Sequence, residues 1–553
     1  MQSSTLQNTS THKWLYFFIS LAVLVNFSGL FVPLMDPDAG VYASISKNML
    51  LRNDYFNLWF QDADWLDKPH FPFWITALFF KLFGIYDWSY KLPGILFALL
   101  GAWYTYVFAK KYYNRTIALW AVFILFTAEH FMISNNDVRA EPFLTGLIIA
   151  SVYHFSNSLS KNLSWQLVAA CLFAACCVMT KGVFTLIPIG GAVAGELIIK
   201  KEWKQIFHWR WLVALVLVIV FISPELYSLW YQFDSHPEKI LFGKTNVSGI
   251  RFFLWDSQFG RFMNKGPIKG KGDPTYFLHT LLWAFLPWSL ILYVALFTKI
   301  KNAIKKIATE FSEWYTISGS LLTLLVFSVS KFQLPYYSNI IFPFLAIISA
   351  TFIVQLLSKN NKLFQIIQFV ISILLVVAGV SLAIFYKPSI SIFLIVVLLL
   401  MSLLLAFLLI RRNSSTAYFL SGFSALMITL FLNLSFYPDL LKYQSGTEAA
   451  FYINQTYPDM PVATISIYTP AGGFYIKDHL RQTTLNAVNK REYSKGLLLF
   501  VTEEELQSLE EGEASFEIIK EFKHFHVTML KLKFLNASTR EQVLEKRFLI
   551  KLL

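Results

Sequence analysis

The sequence predicts a polytopic all-α membrane protein of about thirteen transmembrane helices, followed by a soluble α/β domain at the C-terminus. Three observations predict it. Hydrophobic residues make up 56% of the 553 positions and charged residues only 15%, with a mean hydropathy of +0.52. A soluble domain of this length does not carry that balance. Apolar runs of about 18 residues or more recur along the chain, the length at which a helix crosses hydrocarbon. The basic residues behind the net charge of +13 gather in the short gaps between those runs.

The predicted spans cover 14–35, 91–109, 116–134, 142–157, 165–180, 183–199, 211–231, 275–298, 314–330, 336–356, 363–385, 389–410 and 416–436. A polar tail, residues 1–13, precedes the first. That first run is long and lacks a small-residue cleavage site, so it is expected to stay as an anchor. Lys110, Lys111 and Arg115 fill one gap; Lys200, Lys201, Lys204 and Arg210 another. Lys299, Lys301, Lys305 and Lys306, then Lys359 and Lys362, then Arg411 and Arg412 fill three more. If the spans alternate, all of these gaps share one side. The positive-inside rule makes that side cytoplasmic, with the N-terminus there. The positive charge therefore reports topology and gives no reason to expect a nucleic-acid partner. Cys171, Cys176 and Cys177 all fall within one span, which argues against a disulfide framework and against a metal cluster.

Two loops on the outer side are long, at 36–90 and 232–274. The first opens with Asp36-Pro37-Asp38 and contains FPFWITALFFKLFG, expected to form helices lying in the interface. Asp36 is expected to cap the helix that follows or to mark the interface. The second loop, rich in Gly and Lys, is expected to act as a lid. After Pro438 the pattern changes. Strand-like runs at 462–468, 497–502 and 526–534 flank a polar helical stretch at 503–512, which predicts an extracytoplasmic α/β domain over 438–553.

Charges on the outer side run against the topology rule. Lys181 and Lys331 sit in very short outer loops, TKG and SKFQLP, where lysine is disfavoured. A shared anionic ligand, a phosphate at headgroup depth, accounts for both. Carboxylates gather on the same side: Asp38, Asp137 and Glu141. Cations that stabilise a leaving phosphate, beside acids that serve as general base or support a cationic carbon, suit transfer of a sugar from a lipid-linked phosphate. His130, His279, Glu129 and Glu225 lie in or near spans and are expected to be packing or interhelix hydrogen-bonding residues. A transporter would place its ionisable residues near the bilayer midplane and often duplicate its halves. Here the charges lie at the outer surface and no repeat is evident.

Six short elements, in order, carry a resemblance. They are PDAGVYASISKNML (37–50), DKP (67–69), NDVRAEP (136–142), MTKGV (179–183), GRF with TYF and LPW (260–262, 275–277, 286–288), and SKFQLPYY (330–337). With them the membrane region, roughly 14–440, resembles the membrane-embedded GT-C glycosyltransferases. The resemblance is to the aminoarabinose transferases of lipid A in particular, and to the protein O-mannosyltransferases. It implies a GT-C fold and inverting transfer from a polyprenyl-phosphate sugar to a lipid, glycan or protein acceptor, at the outer face of the cytoplasmic (inner) membrane. By the match, Asp38 takes the place of the catalytic aspartate of the first loop. Asp137 and Glu141 compete for the acid of the second. Lys68, Arg261, Lys331 and Tyr337, with Lys181, would hold the donor phosphate. The resemblance implies no obligatory cofactor and no metal ligands, with a divalent ion left as an open alternative. The chain departs from the pattern twice: Ala39 follows Asp38 where the aminoarabinose transferases usually have Glu, and no Glu-His pair precedes Arg261. A transporter of lipid-linked glycans and a non-catalytic scaffold are the readings from other classes.

Overall fold

A computed structural model describes residues 2–160, 164–260, 262–265, 269–304, 313–411, 413–492, 496–512 and 514–553. A helix stands at each of the thirteen predicted spans, but they do not all qualify as spans. Seven are long and apolar enough to cross a membrane: Thr11–Phe31, Asp87–Tyr112, Trp203–Asp234, Pro335–Ser358, Lys362–Tyr386, Ile392–Ile410 and Thr416–Leu441. An eighth is reached if Arg115–Thr127 and Glu129–Asn136, bent by 57°, count as one. The expected thirteen is therefore not met by length and composition. The physical reason is length. Trp165–Lys181 has 17 residues and Tyr315–Val329 has 15, about 23–26 Å at 1.5 Å per residue against a hydrocarbon core of about 30 Å. The predicted span 275–298 is two helices, Tyr276–Ala284 and Ser289–Ile304, parted at Leu286-Pro287.

Two of the membrane-region helices begin at an asparagine whose side chain accepts from a backbone N–H left free at the helix start. Asn114 accepts from the backbone N of Ile117 (2.9 Å) and Asn361 from that of Phe364 (3.2 Å). Aromatic rings fill the core: Phe419 stacks on Trp120 at 5.0 Å and on Phe18 at 5.1 Å. Helices Asp87–Tyr112 and Glu141–Ser158 meet backbone to backbone. A Cβ on Gly146 would stand 2.2 Å from the carbonyl O of Phe97, so a small residue is required there. Lys362–Tyr386 and Ile392–Ile410 have only 17% of their apolar windows covered by protein, which leaves their outer faces to lipid.

The long loop over 36–90 has secondary structure of its own. It holds the helix Asp38–Arg52, a hairpin of β1 (Trp59–Phe60) and β2 (Ala63–Asp64), and the helix Phe71–Phe83. At 13 residues that last helix is too short to span. Beyond the membrane helices lies a five-stranded mixed sheet of β3 (Val462–Thr464), β4 (Leu480–Gln482), β5 (Leu498–Thr502), β6 (Phe516–His524) and β7 (Glu545–Leu552). Its order is β4-β3-β5-β7-β6, with β3 parallel to β4 and β5 and the other pairs antiparallel. The predicted helix at 503–512 forms over Glu503–Glu511, started by a capping box of Thr502 and Glu505.

The predicted strand over 526–534 is absent. Val527 and Phe534 turn down among Tyr386, Phe436 and Leu440 at the membrane-helix ends, and Phe534 stacks on Phe525 at 3.8 Å. The alternation there reports anchoring to the helical region and no sheet face.

The C-terminal region docks on the long loop over 36–90. Asp36 does not cap the next helix, whose N-cap is Pro37. Its carboxylate accepts from the Ala471 backbone N (2.7 Å) and the Thr469 hydroxyl (3.1 Å). Gln444 accepts from the Asp36 backbone N at 2.8 Å and donates to the Leu34 carbonyl at 3.0 Å. The buried Lys47 donates to the carbonyls of Phe474 and Ile476.

Candidate functional site

The helix Asp38–Arg52 begins at Asp38, so that carboxylate lies at the positive end of the helix dipole. Asp38 accepts from one Arg139 nitrogen at 2.8 Å. The opposite edge of the guanidinium donates to Asp137 Oδ2 at 2.7 and 3.0 Å. Two predicted acids are thus joined by one arginine. Arg139 also stacks over the Tyr336 ring at 4.6 Å. Burial works against the arginine's charge, but Asp137 and Asp38 outweigh it and hold the guanidinium proton above its ordinary range. Tyr42, one helical turn after Asp38, has its hydroxyl pushed well up by burial and then by Glu141 and Asp38.

The third predicted acid, Glu141, is buried and pairs with Lys181. Lys181 lies over the Tyr337 ring at 4.1 Å. Helix Trp165–Lys181 ends because Gly182 takes φ +99°, and a Cβ there would stand 2.3 Å from the Gln258 amide N. That stop sets Lys181 at the mouth of a cavity. The cavity, of about 90 Å³, is lined by Asp67, Lys68, Lys181, Gln258, Phe262 and Tyr337 among others. Lys68 pairs with Asp67. Their loop is fixed through His70, whose backbone N and ring Nδ1 engage Glu225 at 2.9 and 3.1 Å.

Lys68, Lys181 and Tyr337 therefore share one cavity, and Asp38, Asp137 and Glu141 meet its cations or stand beside them. Lys331 does not line it: its side chain is exposed, although Ser330 and Phe332 are on the wall. Arg261 lies outside the described residues. Sequence reasoning missed Arg139 as a functional residue, as well as Asp67 and Tyr336. Arg139 carried a signal: it is the one cation in a short outer loop with two acids. Four carboxylates (Asp38, Asp67, Asp137, Glu141) face three cations (Lys68, Arg139, Lys181), so an arriving phosphate must loosen an ion pair or draw in a further cation. Among the described residues no group of three or more His, Cys, Asp or Glu is arranged to hold a metal ion.

Comparisons with known proteins bear on the fold and the family. Residues 67–228 match the dolichyl-phosphate-mannose-protein mannosyltransferase family. The chain is 26% identical over 359 residues to an undecaprenyl phosphate-alpha-4-amino-4-deoxy-L-arabinose arabinosyl transferase of Enterobacter sp. (strain 638), covering 62% of this chain and 61% of that one. It is 24% identical over 388 residues to arabinosyl transferase 1 of that type from Proteus mirabilis, covering 68% and 66%. Its fold superposes on the crystal structure of ArnT from Cupriavidus metallidurans bound to undecaprenyl phosphate with a TM-score of 0.76 at 18% identity, covering 97% of this chain and 98% of that one. The chain thus has the ArnT fold, and its residues 67–228 are similar to the dolichyl-phosphate-mannose-protein mannosyltransferase family.

Proposed function

We propose that the protein transfers a sugar from a polyprenyl-phosphate carrier to an acceptor hydroxyl or amine at the outer face of the cytoplasmic membrane, with inversion. The observation that carries this reading is the cavity holding Lys68, Lys181 and Tyr337 beside the Asp38–Arg139–Asp137 bridge. The acceptor atom attacks the anomeric carbon from the face opposite the phosphate. As that bond forms, the carbon–oxygen bond to phosphate breaks and its electron pair leaves on the phosphate oxygen. Lys68 and Lys181 neutralise the developing charge, joined by Arg261 and the Tyr337 hydroxyl; Lys331, which stands off the cavity, would have to turn inward to take part. Asp38 takes the acceptor proton or orients the acceptor, with Asp137 or Glu141 in support. No metal ligand is assigned a role.

The relatives named for aminoarabinose transfer support a donor on undecaprenyl phosphate. The family match over 67–228 supports a second reading, O-mannosylation of protein. The basic gaps support an N-terminus in the cytoplasm and a C-terminal domain outside.

The test uses purified protein in lipid vesicles with a panel of polyprenyl-phosphate sugars and acceptors, following release of free polyprenyl phosphate. Wild-type release with a loss of about 100-fold or more in Asp38→Asn is expected. Lipid movement across the bilayer with no release would favour a transporter and overturn the proposal.

A further inference from the structure

Tyr468 is the one large aromatic residue exposed among the described residues of 445–553, at 54%. It belongs to the C-terminal domain, yet it stands beside the charged site. The residue after it, Thr469, donates to Asp36 at 3.1 Å, two positions before Asp38. Its own ring meets Phe60 of the β1–β2 hairpin at 6.0 Å, and Phe60 meets Trp65, two positions before Asp67, at 5.8 Å. Tyr468 thus joins the Asp38 side of the site to the Asp67 side. Partial burial pushes its hydroxyl up to about 12, and Asp36, Asp38 and Asp67 add to the rise, so the three acids lie within electrostatic reach. Its placement is fixed from two directions. His479 of the same domain holds Asp62 at the tip of the hairpin, at 2.8 Å. Asp64, across the hairpin, accepts from Gln232 and Lys239, each at 2.9 Å. The Tyr468 and Phe60 rings cross at 61°, an edge-to-face contact that occupies at most one face of Tyr468.

We propose that Tyr468 is a sugar-binding residue: its ring stacks on the ring of the sugar being transferred, so the C-terminal domain takes part in recognising the donor. The inference rests on the transferase reading and deepens it. In that reaction Lys68, paired with Asp67, takes the phosphate, and Asp38 takes the acceptor proton or orients the acceptor. The sugar stands between the two, which is the interval that Tyr468 joins. The C–H face of a pyranose or furanose ring is apolar and faintly positive, and the face of an aromatic ring is negative, so the two stack. The neighbourhood explains the residue type. A further acid there would be repelled by Asp36, Asp38 and Asp67, and a basic side chain would neutralise the proposed base. An aromatic ring adds contact without adding charge. Stacking engages the ring face and does not read the pattern of hydroxyls. Tyr468 therefore favours a sugar-bearing carrier over the bare carrier, and leaves the choice among sugars to polar groups.

The test uses full-length protein in nanodiscs. Affinity is measured for bare undecaprenyl phosphate and for undecaprenyl phosphate carrying 4-amino-4-deoxy-L-arabinose or mannose. The wild type is expected to bind at least one sugar-bearing lipid about tenfold more tightly than the bare lipid. Tyr468→Ala should erase that difference and leave affinity for the bare lipid unchanged. Tyr468→Phe and Tyr468→Trp, which keep a ring, should retain it. In turnover, Tyr468→Ala should raise the donor KM about tenfold with the acceptor KM unchanged. Its unfolding temperature should match the wild type, because the residue is half exposed. A sugar preference that survives in Tyr468→Ala, an equal loss for bare and sugar-bearing lipid, or a rise confined to the acceptor KM would overturn the proposal, as would a wild type indifferent to both sugars. A Tyr468-dependent preference for sugar with no release of carrier to any acceptor would instead remove the transferase reading and leave the sugar site standing.

Discussion

Arg139 is the residue on which the site turns. Its planar fork reaches Asp38 and Asp137 together, a geometry that a lysine's single ammonium does not reproduce. Arg139→Lys keeps the charge and is expected to lower transfer by about 10–100-fold, with donor affinity nearly unchanged. Steady-state kinetics separating kcat from donor KM check this, and wild-type kcat in the variant would show that charge alone suffices. Asp36 makes a second prediction through its titration. Burial raises its carboxyl to about 6, opposed by hydrogen bonds from Ala471 and Thr469. Its proton is therefore held more tightly in the folded protein than in the unfolded chain. The stabilisation is fully present below about pH 4, the unfolded value, and is lost as pH rises through about 6. The change is worth about 2–3 kcal/mol at most. Asp36→Asn keeps an acceptor oxygen without the charge, so it should flatten the profile of unfolding temperature between pH 4.5 and pH 7.5. Asp36→Ala should lower that temperature across the range. A wild-type profile that rises with pH would contradict this sign.

At the scale of elements, the docking of Pro470–Tyr475 on Asp38–Arg52 sets where Asp38 points. Gly40 lies in the contact: a Cβ there would stand 2.3 Å from the Ala471 backbone N. The obstacle is backbone, so it does not swing aside as a side chain would. Gly40→Ala is expected to cost about 1–3 kcal/mol and to reduce transfer by tilting the Asp38 helix. Unfolding temperature and transfer rate, measured together, test it, and unchanged values for both would show that the helices slide apart freely. Little of this docking was legible in the sequence. The Asp36–Ala471 bond joins residues 435 apart, and nothing local in either segment announces the other. The outer charges were legible because alternation of spans sorts them by side, which brought Lys68, Lys181, Asp38, Asp137 and Glu141 to one region before any contact was known. Arg139 was passed over because a cation among acids reads as neutralisation until the bridging geometry is seen. The strand expected at 526–534 failed for a related reason. Period-two alternation shows that one face is buried but does not say against what, and here the partner is the membrane-helix ends.

For the whole molecule, the question is whether the C-terminal domain is an appendage or a wall of the site. Every acid and cation of the site precedes residue 340, which suggests that residues 14–437 would suffice. The packing argues the opposite. Phe525, Val527 and Phe534 cover Tyr386, Phe436, Leu440 and Leu441, and Arg540 lies 4.0 Å over the Tyr386 ring while donating to its carbonyl at 2.6 Å. Tyr475 donates to Asp87 at 2.5 Å and accepts from the Leu34 backbone N at 2.8 Å. Exposing about five such apolar anchors at about 1.5–3 kcal/mol each approaches the whole stability of a typical domain, about 5–15 kcal/mol. Truncation after Lys442 is therefore expected to give a protein that inserts in the membrane but unfolds at markedly lower temperature, with the 36–52 segment open to protease and no transfer activity. Limited proteolysis of the truncated and full-length proteins in the same nanodiscs, read beside undecaprenyl phosphate binding, distinguishes the two views. A protected 36–52 segment with full donor binding in the truncated form would make the domain an appendage. Cleavage there would make it part of the proposed catalytic loop, because the helix that carries Asp38 is held by Pro470–Tyr475 as well as by Phe71–Phe83.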